Sequence, residues 1–169
     1  QSDSPTVTAS GQAPPTGDLG IPNPFGRYTI LRLLGRGGMG AVFLAHDTQL
    51  HRPVALKIPN FSGALTEAQK ERFFREARAV AALRHPNIVQ VYEVGDHEGR
   101  PFLSLEFVNG GSLARQLEGR PQLALVAARL SETLARAVHA AHQAGIVHRD
   151  LKPANILLQK KPTTDNADG

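Results

Sequence analysis

The chain has no cysteine among its 169 residues, which removes disulfides and thiolate metal sites and fits a reducing compartment. It also lacks any apolar run approaching the ~20 residues that span a bilayer, and any signal-peptide pattern at its start. A membrane anchor would therefore have to lie in a longer parent protein, and Gln1 in place of an initiating Met reads as the start of a fragment. No basic block is present: 19 Lys and Arg are scattered among 15 Asp and Glu, for a net charge of +4. Nucleic acid is then a weak partner, and a phosphate-bearing small ligand a better one. No internal repeat is found. The remaining composition, 41% hydrophobic and 20% charged, is that of a soluble globular protein with one domain, or one lobe and part of another.

Residues 1–24 are Ser, Thr, Pro, Gly and Ala with few large apolar side chains, a composition expected for a disordered leader or linker, with order beginning near Phe25 or Tyr28. Two short apolar runs, 28–35 (YTILRLLG) and 41–46 (AVFLAH), flank Gly35-Arg36-Gly37-Gly38-Met39-Gly40; a third, 53–58 (PVALKI), follows. Consecutive strands so closely spaced predict an antiparallel meander. Residues 66–83 carry Phe73, Phe74, Ala77, Val80 and Ala81 at helical spacing, with Thr66 and Gln69 placed for a capping box and Pro86 as the stop. Two further strands are expected at 88–94 and 101–108, joined by a turn at 95–100. Five strands and one helix make a small α+β lobe. After Asn109-Gly110-Gly111 the pattern becomes helical, first at 112–117 and then at 123–144, where Leu123, Val126, Ala127, Leu130, Leu134, Ala137, Val138 and Ala141 form one stripe and Gly145 is the stop.

The glycines read GxGxxGxV at Gly35, Gly37, Gly40 and Val42. A dinucleotide-binding fingerprint has the same three glycines but must open a helix; here an extended run follows, so a hairpin lid over phosphates fits better. An ordinary glycine-rich turn explains them about as well. Lys57 interrupts an apolar strand and shares its face with Ala55, either as the wet face of an edge strand or beside an anionic ligand. Glu76 is a candidate counter-charge for Lys57, although Arg72, four residues earlier, is the partner that helix statistics favour. Downstream, Asp150, Lys152 and Asn155 are packed into six positions. A carboxylate can take a hydroxyl proton, an ammonium can neutralise a transferring group, and an amide oxygen can ligate Mg²⁺. Singly, each is an ordinary loop residue, and His148 reads equally well as a core histidine.

The glycine loop, Val54-Ala55-Leu56-Lys57, the helix with Glu76, His85-Pro86-Asn87-Ile88-Val89 and His148-Arg149-Asp150-Leu151-Lys152-Pro153-Ala154-Asn155 occur in this order, and together they resemble the front part of a eukaryotic-type protein kinase. The Asp-Leu-Lys-Pro form is similar to serine/threonine kinases, and the Gly-Arg-Gly-Gly-Met-Gly loop to their bacterial members. The resemblance implies a kinase-like α+β fold, with an antiparallel sheet lobe at 25–108 and part of a helical lobe at 109–169. It also implies a cytoplasmic kinase domain using ATP and Mg²⁺ on a protein serine or threonine. By that resemblance Gly35, Arg36, Gly37, Gly38 and Gly40 cover the phosphates, and Lys57, paired with Glu76, grips them. Val42 and Ala55 line the purine pocket, Leu105 is the gatekeeper, and Glu106 to Val108 form the hinge. Asp150 accepts the substrate proton, Lys152 meets the γ-phosphate and Asn155 holds a Mg²⁺. Arg149 before Asp150 resembles kinases switched by phosphorylation of an activation loop.

One family element is missing. No Asp-Phe-Gly follows Asn155, and Asp165 and Asp168 sit among polar residues that read as a loop tip rather than a replacement. The expectation is an active parent kinase, with the 169-residue piece inactive alone. Competing readings are a nucleotide-binding or scaffolding pseudokinase and a small-molecule phosphotransferase.

Overall fold

The computed structural model of the chain describes residues 20–38, 40–60 and 66–160. Five strands, β1 (Tyr28–Gly37), β2 (Gly40–Asp47), β3 (Arg52–Pro59), β4 (Val91–His97) and β5 (Arg100–Glu106), form one antiparallel sheet in the order β1-β2-β3-β5-β4. Helix α1 (Glu67–Ala81) connects β3 to β4; α2 (Leu113–Leu117) and α3 (Ala124–Gln143) follow, and a 3₁₀ turn, Pro153–Asn155, lies in the segment after α3.

Period-two alternation gives the sheet two unlike faces. On one face Ile30, Ala41, Phe43, Ala45, Val54, Leu56, Ile58 and Phe102 are buried together with Phe25 and Tyr28. Phe25 and Tyr28 each meet the Phe102 ring edge-on, at 5.5 and 5.6 Å, and Phe25 packs against His97. Just before Phe25, the Asn23 side chain exchanges hydrogen bonds with the Ile30 carbonyl (3.0 Å) and the Ile30 N–H (2.9 Å). Asp47 and Glu93 gather the polar contacts at this face. The Asp47 carboxylate, with no exposure, accepts from the Gln49 and Leu50 amides and faces Arg27 Nε at 3.3 Å. Glu93 takes the Arg27 guanidinium at 2.6 Å and the Tyr28 hydroxyl. Burial, then that hydrogen bond, push the Tyr28 phenol up to about 12.

Local signals place α1 and α3 as expected. Thr66 and Gln69 form both halves of the capping box at the start of α1. Helix α3 ends with the Gly145 N–H on the His142 carbonyl and the Ile146 N–H on the Ala141 carbonyl, Gly145 having φ +74°, the two bonds of a Schellman motif. Along the expected α3 stripe Ala137 and Ala141 are buried, whereas Leu123 and Val126 are exposed. Strand β4 differs from the expectation, starting at Val91 rather than Ile88 and running through Gly95 to His97. The reason is Phe102: a Cβ at Gly95 would stand 2.6 Å from its ring, so this glycine accommodates a cross-strand aromatic instead of opening a turn. The turn is the tighter Glu98-Gly99 pair, with Gly99 bonded to Asp96. The leader through residue 19, Asp165 and Asp168 lie outside the described residues.

Candidate active site

The sheet's second face carries the nucleotide-side candidates. Val42 pairs with Lys57 and Leu44 with Ala55 across β2 and β3; Ala55 pairs with Leu105 and Lys57 with Leu103 across β3 and β5. Directly opposed residues in an antiparallel pair share a face. Val42, Ala55, Lys57 and Leu105 are therefore brought together, each half-buried, with Leu44 and Leu103 completing an apolar floor around one ammonium. Leu103 was missed in the sequence, although period two from Leu105 points to it.

Above this face β1 and β2 close as a hairpin in which Gly37 pairs with Gly40, Arg36 with Ala41 and Gly35 with Val42. Gly35, Gly37 and Gly38 have open space where a Cβ would be. Gly40 differs. Its φ is +125°, and a Cβ there would lie 2.3 Å from the Ile58 carbonyl oxygen, so only glycine lets β2 start beside the end of β3. At the other end of β5, Glu106 donates its N–H to the Gln90 carbonyl (2.8 Å) and accepts from the Gln90 N–H through its carboxylate (3.2 Å). The Gln90 side chain bonds the Val91 and Ala81 carbonyls, tying the start of the linker to the end of α1. Val108 follows in non-helical, half-buried chain.

The expected Lys57 to Glu76 pair is not formed. Glu76 accepts from Arg72 Nε at 2.8 Å, an i,i+4 pair with both side chains exposed, and Lys57 is in no ion pair among the described residues. The local partner wins because one helical turn already sets the two side chains side by side, whereas reaching Lys57 requires α1 to approach β3. Hydrogen bonding to Arg72 holds the Glu76 carboxyl below the usual carboxylate range.

The loop after α3 gathers Asp150, Lys152 and Asn155. Lys152 Nζ is 2.9 Å from Asp150 Oδ2, and Asn155 Nδ2 donates to the Asp150 carbonyl (2.7 Å) and carboxylate (3.0 Å). The Lys152 and then the Asn155 bond hold the Asp150 carboxyl below its ordinary range, so it is a carboxylate, and hence an acceptor, at neutral pH. His148 is exposed, not in a core; its carbonyl and Nδ1 both receive the Asp150 N–H, at 2.9 and 3.3 Å. This tight turn forces Arg149 to φ +63°, a left-handed conformation that costs a non-glycine residue about 1–3 kcal/mol. The side chains that would act are thus oriented by backbone contacts while remaining open to solvent.

With both Nδ2 protons spent on Asp150, Asn155 Oδ1 has no donor among the described residues and is a hard oxygen of the kind that suits Mg²⁺. Among the described residues no cluster of three or more His, Asp or Glu is arranged for a metal. The same residues include no helix long and apolar enough to cross a membrane.

Comparison with known proteins agrees with this geometry. The family described as protein kinase domain matches residues 28–166. The serine/threonine-protein kinase PknJ of Mycobacterium tuberculosis is 40% identical over 85% of the chain, which covers 24% of that protein. PrkC of Bacillus subtilis is 42% identical over 79% of the chain, 21% of its own length. The crystal structure of the M. tuberculosis PknI kinase domain superposes with a TM-score of 0.67 at 33% identity, covering 80% of this chain and 55% of that one. The chain therefore spans about a quarter of the length of the curated relatives it matches. From the glycine hairpin to the Asp150 loop, sheet order, sequence and superposition agree: the chain belongs to the protein kinase family, with bacterial serine/threonine kinases among its relatives.

Proposed function

We propose that the whole protein is an ATP-dependent serine/threonine kinase whose catalytic domain works in the cytoplasm, moving the γ-phosphate of ATP to a hydroxyl of a protein substrate. The observation that carries this reading is the cluster of Asp150, Lys152 and Asn155, an ionised acceptor held between a cation and an amide. Residues 25–108 are the lobe that grips nucleotide and 109–169 the part that does chemistry. Adenine lies against Val42 and Ala55 with Leu105 behind it, and its edge meets the backbone from Glu106 to Val108. The phosphates run under Gly35, Arg36, Gly37, Gly38 and Gly40, with Lys57 neutralising the first two. Glu76 leaves Arg72 for Lys57 in the working state; an exposed helix pair is weak enough to be exchanged.

Asp150 accepts the proton of the substrate hydroxyl as its oxygen attacks the γ-phosphorus and the bond to the β-phosphate oxygen breaks. Lys152 turns from Asp150 to the transferring group, so the base loses its counter-charge as the proton arrives. Asn155 Oδ1 would hold Mg²⁺, which when bound screens phosphate charge. A nucleotide-binding module without transfer is the second reading, favoured by Glu76 standing on Arg72.

The test is incubation of the whole protein with γ-labelled ATP and Mg²⁺, a protein acceptor and a small aminoalcohol. Phosphoserine or phosphothreonine in protein supports the kinase reading. ATP binding with no transfer supports the module, and label in the small alcohol identifies a small-molecule phosphotransferase.

A further inference from the structure

The segment leaving β5 and the segment leaving the Asp150 loop lie side by side. Leu113 N–H donates to the Ile156 carbonyl and Leu158 N–H to the Gly111 carbonyl, both at 2.8 Å, and Ser112 forms a β-bridge with Leu157. Lys160 N–H adds a bond to Asn109 Oδ1 at 3.1 Å. Within this contact the adjacent glycines are needed for different reasons. Gly111 has φ +79° and open space around it, so its requirement is conformational. Gly110 has no left-handed φ, yet a Cβ on it would be 2.0 Å from the Leu158 carbonyl oxygen and 2.7 Å from the carbonyl carbon. Its requirement is room, and the neighbour that takes the room is backbone, which cannot swing aside as a side chain can.

We propose that Gly110 is a positioning residue for phosphoryl transfer. Its missing side chain lets residues 156–158 dock directly on the linker from the sheet, and this sets where Asp150 and Asn155 stand relative to a nucleotide held on the cleft face. The inference rests on the kinase reading given above. The mechanical link is short: Asn155 is three residues before Leu158, and its Nδ2 bonds fix the Asp150 carbonyl and carboxylate. Restoring ordinary contact to a Cβ at Gly110 requires the Leu158 carbonyl to retreat by more than an ångström. Displacements of that size at a reacting group cost about 100-fold in rate. Affinity for ATP in the absence of Mg²⁺ should be spared, because the glycine hairpin, Lys57, the apolar floor and Glu106 all sit on the sheet.

The experiment compares Gly110→Ala with wild-type whole protein, measuring kcat, the equilibrium dissociation constant for ATP without Mg²⁺, and the amide resonances of Leu113, Leu158 and the Asn155 side chain. The expected result is a fall of about 100-fold in kcat, a metal-free ATP dissociation constant within about 3-fold of wild type, and displaced resonances at all three groups. Should Gly110→Ala fail to fold, Asn109→Ala decides. It removes one bond of the same contact and should lower kcat about 5-fold at unchanged affinity for ATP without Mg²⁺. Unchanged kcat in the folded variant would overturn the proposal, as would a loss of kcat matched by an equal loss of nucleotide affinity. If wild type transfers no phosphate, the kinase reading has failed. The resonances still judge the linkage: an Asn155 side chain that does not move in Gly110→Ala contradicts it.

Discussion

Phe43, Val54 and Leu56 are fully enclosed in the sheet, each side chain contributing about 1.5–3 kcal/mol by leaving water, and the charges at its margin are locked into the Arg27, Tyr28, Asp47 and Glu93 network. The loop from His148 to Asn155 has no core of its own. Val147 and Leu151 are exposed, α3 leaves Leu123 and Leu125 at 78% and 64% exposure, and residues 156–160 are held by a handful of bonds to 109–113. The sheet is thus held through packing, and the Asp150 loop through hydrogen bonds. Substitutions should divide accordingly, sheet changes altering stability and loop changes altering protonation and rate.

The largest stability effect is expected at Gly40→Ala, where a Cβ meets the Ile58 carbonyl and φ is +125°. The cost should be about 3 kcal/mol or more by chemical denaturation, and a cost near zero would mean that the hairpin is not seated on β3 as described. Tyr28→Phe comes next. It removes the hydroxyl donated to Glu93, and a loss of about 1.5 kcal/mol is expected. The pH dependence sharpens this. The folded phenol titrates at about 12 against 10.0 ordinarily, so its contribution is complete below pH 10 and disappears as pH rises toward 12. Wild type should lose stability across that window, and Tyr28→Phe should lose less.

In the loop half the effects fall on titration. Lys152→Met removes the main cause of the depressed Asp150 carboxyl, so the Asp150 ¹³C carboxyl resonance should titrate at higher pH than in wild type, with unfolding little changed because both groups are exposed. A lower or unmoved midpoint would show that Lys152 is not the controlling partner. Smallest of all is Arg72→Ala, which removes an exposed pair and should leave unfolding unaltered within error. Glu76 should then titrate nearer its ordinary range; unaltered titration would mean that Arg72 is not its partner in solution.

The parts legible in the sequence were those set by neighbours a few residues apart. Alternation gave β1, β2, β3 and the shared face of Ala55 and Lys57; Thr66, Gln69 and Gly145 gave the helix ends. The misses were non-local. Gly95 looks like a turn until Phe102 is known to lie across from it, and Gly110 only marks where the pattern becomes helical until Leu158 is placed against it. Glu76 had a near and a distant partner on offer, and the structure holds the near one. The grouping of Asp150, Lys152 and Asn155 was legible because six positions contain it; the bonds that aim it were not.

The central claim is that Asp150 takes the proton while nucleotide is held elsewhere, on the sheet. It is tested most directly by Asp150→Asn in the whole protein, with phosphate transfer and MgATP affinity measured on the same sample. The account predicts a rate loss of roughly 10²–10⁴-fold with MgATP affinity unchanged. Transfer at near wild-type rate by Asp150→Asn would contradict it.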